Sequence, residues 1–353
     1  MEPRIVVRTH YQVDEPAYLG LLVGETSPVQ SEYPERVAER LARSIRLLDI
    51  SFNIAAASYA VDLGRHVGLL TAQLTWAPLG HLVAIFARCR PSMLKQNLEP
   101  TELERLLWLR VFLEGDGAAL LFLGSRLRDA GSLPSGDTNW NEIARDLFVW
   151  CYEEYLKLSS TTADRVAIRN ELDRLRARGY QGKSGAHKVF VHLQTMARAG
   201  LAVRADTGNG RRYLAAEAPL DRFLNVCSDV PTMEALLRRE SWIEAVSAVY
   251  DGAEPASYDD TALASLVGYY YERIMASAIA ICPLSTLRDA VQLHVLAQKR
   301  LLAAPAITDW LMRAQAKTPK LIRLHVDRAG TVSFVRLDDA LLSEWRRESP
   351  VPA

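Results

Sequence analysis

Apolar positions recur every three or four residues through most of this chain, and in a few places that rhythm gives way to short extended runs. From Pro34, the residues Val37, Leu41, Ile45 and Leu48 fall on one side of a helix, with Pro34 suited to its first turn. The helical pattern continues through Asp62, ends across Gly64 to Gly68, and resumes from about Pro78 after two short extended pieces. The segment before Pro34 has no such period. RIVVRTHYQV is extended in character and a Gly-, Pro- and Ser-containing stretch follows, which predicts an arm or edge strand and then a loop. Thr101 with Glu104 is a helix-start signal, because hydroxyl and carboxylate can satisfy the free amides of the first turn. The helix behind it carries Leu103, Leu106, Leu107, Leu109 and Val111; Gly115-Asp116-Gly117 interrupts it, and Ala118 to Asp129 continues.

GSLPSGDTN, Gly131 to Asn139, predicts a linker. Three helices are predicted beyond it. Trp140 to Lys157 turns Ile143, Leu147, Trp150 and Cys151 inward; Thr162 to Arg178 does so with Val166, Ile168, Leu172 and Leu175; Ser184 to Ala199 does so with Val189, Leu193, Met196 and Ala197. Gly179 to Gly182 is a turn, and Gly200 is placed to end the third helix. LAVRA and RRYLAA then flank Thr207-Gly208-Asn209-Gly210, which predicts a β-hairpin. The pattern returns from Thr261 to Leu337: helices through VGYYYERIMASAIAI, LSTLRDAVQLHVLAQKRLL and PAITDWLMRAQAK, then LIRLHV and TVSFVRL around Asp327-Arg328-Ala329-Gly330.

Three helices followed by a hairpin resemble the winged helix-turn-helix superfamily, by pattern rather than by a diagnostic motif, over Trp140 to about Pro219 and again over Thr261 to Leu337. Pro34 to Cys89 resembles a third, degenerate copy, whose wing LTAQLTW lacks a cation. The fold class expected is mainly α with short β-hairpins, in tandem winged-helix modules linked by helices. The divisions are residues 1–98 (arm and degenerate module), 99–135 (helical connector), 136–219 (winged-helix module), 220–260 (acidic helical linker) and 261–345 (C-terminal winged-helix module).

With 353 residues, 49% of them apolar and 24% charged, the chain has enough material for two to three folded domains. The formal net charge is zero, but the charge lies in blocks. Residues 161–215 hold eleven Lys/Arg against four Asp/Glu, residues 217–273 four against eleven, and residues 284–336 nine against three. An average of zero thus hides two basic segments. MEPRIVVRTH has no apolar core for a signal peptide, and GAALLFLG and MASAIAICPL are too short to span a bilayer. Cys89, Cys151, Cys227 and Cys282 are far apart and read as buried thiols of a cytoplasmic protein.

In proteins of the resembled superfamily the third helix enters the major groove and the wing touches backbone or minor groove. That chemistry needs Lys and Arg for phosphates, and Arg, Asn, Gln or His for base edges. In the middle module the resemblance points to Lys183, Ser184, His187, Lys188, His192, Thr195 and Arg198 on the helix and to Arg204, Asn209, Arg211 and Arg212 on the wing. In the C-terminal module it points to Arg313, Lys317, Lys320, Arg323, His325 and Arg328.

Other signals are weaker. ARGYQGKS, Ala177 to Ser184, fits a loosened phosphate-loop pattern, but a charged helix precedes it where a buried strand is required. Glu114 and Asp116 are one acidic pair without a third ligand, and no His spacing suits a metal. The expectation is therefore a non-enzymatic, prokaryotic-style DNA-binding protein with no cofactor and no membrane. Double-stranded DNA is its favoured partner, and it serves as a regulator or as a recognition subunit in a complex such as a restriction or phage-defence system. The alternative is a scaffold whose modules join proteins, with protein partners or a homodimer. Trp242, Tyr250 and Tyr258 in the acidic segment suit such an interface.

Overall fold

A leucine-rich run of 29 residues forms the longest element, the helix α5 (Glu102–Ala130). Its start is the expected box: Glu104 N–H donates to Thr101 Oγ1 and Thr101 N–H donates to the Glu104 carboxylate at 2.8 Å. The structure, a computed structural model, describes residues 16–47, 53–88, 101–135, 139–158, 161–178, 186–207, 210–228, 242–276, 281–328 and 330–348. Fourteen helices and eight short strands occur among them.

Ahead of α5 lie α1 (Ala17–Gly24), α2 (Pro34–Arg46), α3 (Ile54–His66) and α4 (Pro78–Arg88). Asn53 caps α3 by accepting from Ala56 N–H at 2.7 Å. A single antiparallel bridge, Leu70 to Trp76, separates α3 from α4. The Trp76 indole donates to Val23 O and Thr26 Oγ1. The stretch expected to be loop before Pro34 is instead helical at α1. AYLGLLVG has no polar face because α2, α3 and α4 surround it, and a helix buried on every side leaves no amphipathic signal. The expected arm at residues 1–15 lies outside the described residues.

After α5 the order is β1 (Ser132–Leu133), α6 (Trp140–Leu158), α7 (Thr162–Arg178), α8 (Ala186–Arg198), β2 (Ala202–Thr207), β3 (Gly210–Ala215) and α9 (Glu217–Ser228). Gly200, at φ 79°, ends α8 as expected. Strands β2 and β3 form the predicted antiparallel hairpin. The predicted linker begins as a strand: β1 pairs with β3, giving the sheet order β1-β3-β2. Val166, expected inward, is half exposed, while Ile168, Leu172 and Leu175 are buried.

The acidic segment expected to be a helical linker is packed in one part and exposed in another: residues 251–260 are mostly exposed. Its helix α10 (Trp242–Ser247) packs on α5 and α9, and Trp242, Ile243, Ala245 and Val246 are buried. The chain continues with β4 (Glu254–Pro255), α11 (Asp260–Met275), β5 (Cys282–Pro283), α12 (Leu284–Ala297), β6 (Arg300–Leu301), α13 (Ala304–Lys317), β7 (Ile322–Val326), β8 (Val332–Leu337) and α14 (Asp339–Glu348). Strands β4 and β6 pair in parallel, so the second predicted helix of this region stops short of Arg300. The other sheet has the order β5-β8-β7. Element order thus recurs in outline: helix, short strand, helices (α6, α7 and α8 in one copy, α12 and α13 with β6 between them in the other), hairpin, closing helix. In both copies the short strand joins the second hairpin strand, and the first helix packs against the closing one (α5 with α9, α11 with α14). One cluster of buried side chains runs from Tyr18 to Trp345 through all these parts.

The kink in α5 falls where glycines predict it. Asp116 leaves helical geometry (φ −151°, ψ 42°), and there α5 meets the end of α3 so closely that a Cβ on Gly115 would lie 2.5 Å from Val67 Cα. Backbone cannot yield as a flexible side chain would. Gly115→Ala is expected to lower stability by about 1–3 kcal/mol in urea denaturation, the ordinary cost of overpacking. Gly131→Ala, which meets no atom within 4 Å but sits at φ 68°, supplies the comparison for pure backbone strain.

Candidate nucleic-acid interface

Of the residues expected to converge on α8 and its hairpin, the described ones do not share one outward surface. His192 and Thr195 have no solvent exposure, correcting the expectation that they face a groove. Thr195 Oγ1 donates to Val191 O at 2.8 Å. The reason is that α8 is enclosed: it packs against α5, α6 and β2, and every residue from Val191 to Met196 is buried. Helical spacing picks out one apolar face but cannot tell that the opposite face is covered as well. Arg198 is half-buried at the helix end, and Arg204 is exposed on β2. Arg211 lies over the Phe190 ring, 4.6 Å from its centroid, and the Arg212 guanidinium donates to Ser132 Oγ at 2.7 Å. Lys183, Ser184 and Asn209 lie outside the described residues, as do the side chains of His187 and Lys188.

His192 is instead half of a buried polar joint. Its Nε2 is 2.7 Å from Asp116 Oδ2 at the α5 kink, and His66 Nε2 on α3 is 3.6 Å from the same oxygen. The Phe112 ring closes one side, in a T-shaped contact with the His192 imidazole. Burial alone would raise the Asp116 carboxyl, but the charge and hydrogen bond of His192, with a smaller contribution from His66, outweigh it and hold the group well below the usual carboxylate range. The sequence signal here was the lone acid between two glycines, without its partners. A second charge group centres on the buried Arg110, nearly two turns earlier on α5. Arg110 pairs with Glu114 at 2.6 Å and with Asp289 of α12 at 3.4 Å, and stacks over Trp242 at 4.6 Å. Trp242, expected at an outer interface, is therefore spent inside the chain.

The C-terminal candidates differ. Arg313, Lys317, Lys320, Arg323, His325 and Arg328 are all exposed. Helix α13 buries Ile307, Trp310 and Leu311 and turns Asp309, Met312, Arg313, Ala316 and Lys317 outward, a stripe set by the 3.6-residue period. Lys317 is 3.5 Å from Asp260, but both side chains are solvated, so the attraction is weak. On the sheet, Ile322, Val335 and Leu337 face the core, while Arg323 opposite Arg336 and His325 opposite Phe334 face out. Ala316, Phe334 and Arg336 were missed by sequence reasoning. The alternation in TVSFVRL carries the last two, and the helical period carries Ala316.

Among the described residues no group of three His, Cys, Asp or Glu side chains is placed to hold a metal, and no helix is long and apolar enough to cross a membrane. Cys151, Cys227 and Cys282 are buried free thiols; burial pushes Cys227 up to about 12 and raises the other two, Cys151 with help from Asp116. None is a poised nucleophile. Cys89 lies outside the described residues. Compared with protein-family models, with curated proteins and with solved structures, the chain matches none.

Removing one member of a buried pair strands the other. Asp116→Asn is expected to cost about 3–5 kcal/mol in urea denaturation. The sign with pH follows from the depressed carboxyl. Its stabilisation is present above the unfolded-state value, about 4, and is lost as pH falls towards the folded-state value, where the buried carboxylate protonates. The wild-type chain should therefore lose stability between about pH 5 and 2, and the Asn variant should show a flatter acid limb over that range.

Proposed function

We propose that this chain is a non-enzymatic DNA-binding protein of the winged-helix kind, a regulator or the DNA-recognition subunit of a larger assembly such as a restriction or phage-defence complex. Its contact surface is the C-terminal module. The observation that carries this reading is the exposed stripe of α13, with Arg313, Ala316 and Lys317 projecting from a helix whose other face is anchored in the core. In a major groove arginine reads guanine edges and an alanine methyl fits against a thymine methyl, while lysine neutralises phosphate. The small side chain of Ala316 also lets the helix approach the bases closely. Asp309, the acid on the stripe, suits a cytosine amino group rather than a phosphate. Arg323 and Arg328 on the following hairpin extend the cationic surface. Three helices followed by a hairpin, present twice in the element order, support the family resemblance. The middle module contributes less under this reading, because the C-terminal half of its third helix is enclosed.

A protein-joining role is favoured by a different observation at the other end of the chain. Leu47 and Ile54 are exposed at 81% and 48% beside Glu39, Arg43 and Arg46, and Tyr33 is exposed nearby in sequence. Exposed apolar groups rimmed by charge suit a protein contact.

Fluorescence anisotropy of a labelled random duplex at two salt concentrations separates the two readings. Duplex binding should weaken with salt, and Arg313→Ala with Lys317→Ala should make the logarithmic salt slope shallower by about 0.9 for each phosphate that is no longer neutralised. A duplex that fails to bind at low salt removes the DNA reading and leaves the protein-joining role.

A further inference from the structure

We infer that the outer face of the β5-β8-β7 sheet binds an unpaired strand of nucleic acid, with Phe334 stacking on a base and Arg323 and Arg336 meeting the phosphates. This rests on the nucleic-acid reading above and goes beyond it, because that reading needs only the groove of a duplex.

The register puts the relevant side chains in rows. Arg323 is directly opposite Arg336; the next outward row is His325 opposite Phe334, with Pro283 of β5 paired to Phe334 on the far side; beyond it Val332 is paired with Val326. Phe334 and Val326 are exposed at 40% and 58%. Two arginines directly across an antiparallel pair repel each other, so this arrangement works against the sheet's own stability. No ion pair relieves it among the described residues. The acids nearest along the chain are Asp327, which accepts from Thr331 N–H at 2.9 Å and from Ser333 Oγ at 3.2 Å, Asp338, which accepts from Ala340 N–H at 2.9 Å, and Asp339 at the start of α14. The face is thus cationic, with an aromatic ring and an imidazole in the adjacent row, about 7 Å away along the strands.

That combination selects among polyanions. Duplex DNA hides the faces of its bases and presents edges and phosphates; a flat sheet with an exposed ring has nothing to stack on there. An unpaired strand offers base faces and phosphates together, the pairing that single-strand-binding surfaces use. An acidic protein segment would satisfy the arginines but would leave the ring without a partner of its own kind. The hairpin β2–β3 provides an internal contrast. Its outward pairs are Val203 with Leu214 and Ala205 with Arg212, whose guanidinium is bonded to Ser132. That sheet holds neither an exposed aromatic side chain nor opposed arginines among its described residues.

The test uses the full chain, a labelled oligothymidine of about 15 nucleotides, a labelled duplex, and polyglutamate as competitor. Phe334→Leu keeps an apolar side chain and removes the ring face. It should weaken oligothymidine binding about 5- to 150-fold, the worth of one stacked base, and leave duplex binding within about twofold. Phe334→Trp should retain binding and show quenching of the new indole when the oligothymidine is added. Arg323→Ala and Arg336→Ala should each weaken the oligothymidine and make its salt slope shallower. Each should leave the urea midpoint unchanged or higher, since a repulsion is removed; a lower midpoint in both would mean that the opposed arginines stabilise the sheet and would overturn the inference. Duplex binding with oligothymidine binding indifferent to Phe334→Leu would overturn the inference and leave the duplex reading intact. Absence of binding to either nucleic acid would overturn both. Displacement of oligothymidine by polyglutamate at equal charge concentration would assign the face to an acidic protein and overturn the inference.

Discussion

A carboxylate without solvent contact at the centre of α5 constrains everything around it. Asp116 can reach that position only because the helix breaks between Gly115 and Gly117, and it stays ionised only because His192 and His66 come to meet it. Those two histidines belong to α8 and α3, so three stretches distant in sequence are fixed to one charged carboxylate. Nearly two turns away, Arg110 draws Asp289 and Trp242 onto the same helix. Buried charges that depend on each other tolerate little displacement, because separating them leaves an unsatisfied ion in a dry interior. Helix α5 is therefore the common support of the parts before and after it.

This support decides which faces are left to meet other molecules. Holding α8 against the kink encloses His192 and Thr195, which its sequence would otherwise offer to a groove, and the Arg212 guanidinium is bonded back to the start of β1. The C-terminal part is also anchored to α5, through Asp289 of α12, but α13 and the hairpin after it lie on the far side of their own core. Their arginines, lysines and the Phe334 ring remain outward. The same outline of elements is thus used in two ways, once as an internal joint and once as an outward surface.

Much of the fold was legible in the sequence. The capping box at Thr101, the break at Gly115 to Gly117, the stop at Gly200 and both hairpins are local decisions, made by a few neighbouring residues, and each falls where the pattern predicts. What was missed depends on contacts between distant segments. The buried helix α1 has no polar face to set a period, and Ser132–Leu133 becomes a strand only because β3 offers it an edge. The candidate site divides the same way. The exposed C-terminal cations were readable because they alternate with core residues over a short range. The burial of His192 was not, since its partner lies 76 residues away on another helix.

Hydrogen–deuterium exchange of the full chain, with and without saturating nucleic acid, tests most directly whether the polyanion surface lies in the C-terminal part. Slower exchange confined to α13 and the β7–β8 hairpin, with α8 and β2–β3 unchanged, is the predicted result. Protection centred on α8 and β2–β3, or no change anywhere while binding is demonstrated, would contradict it.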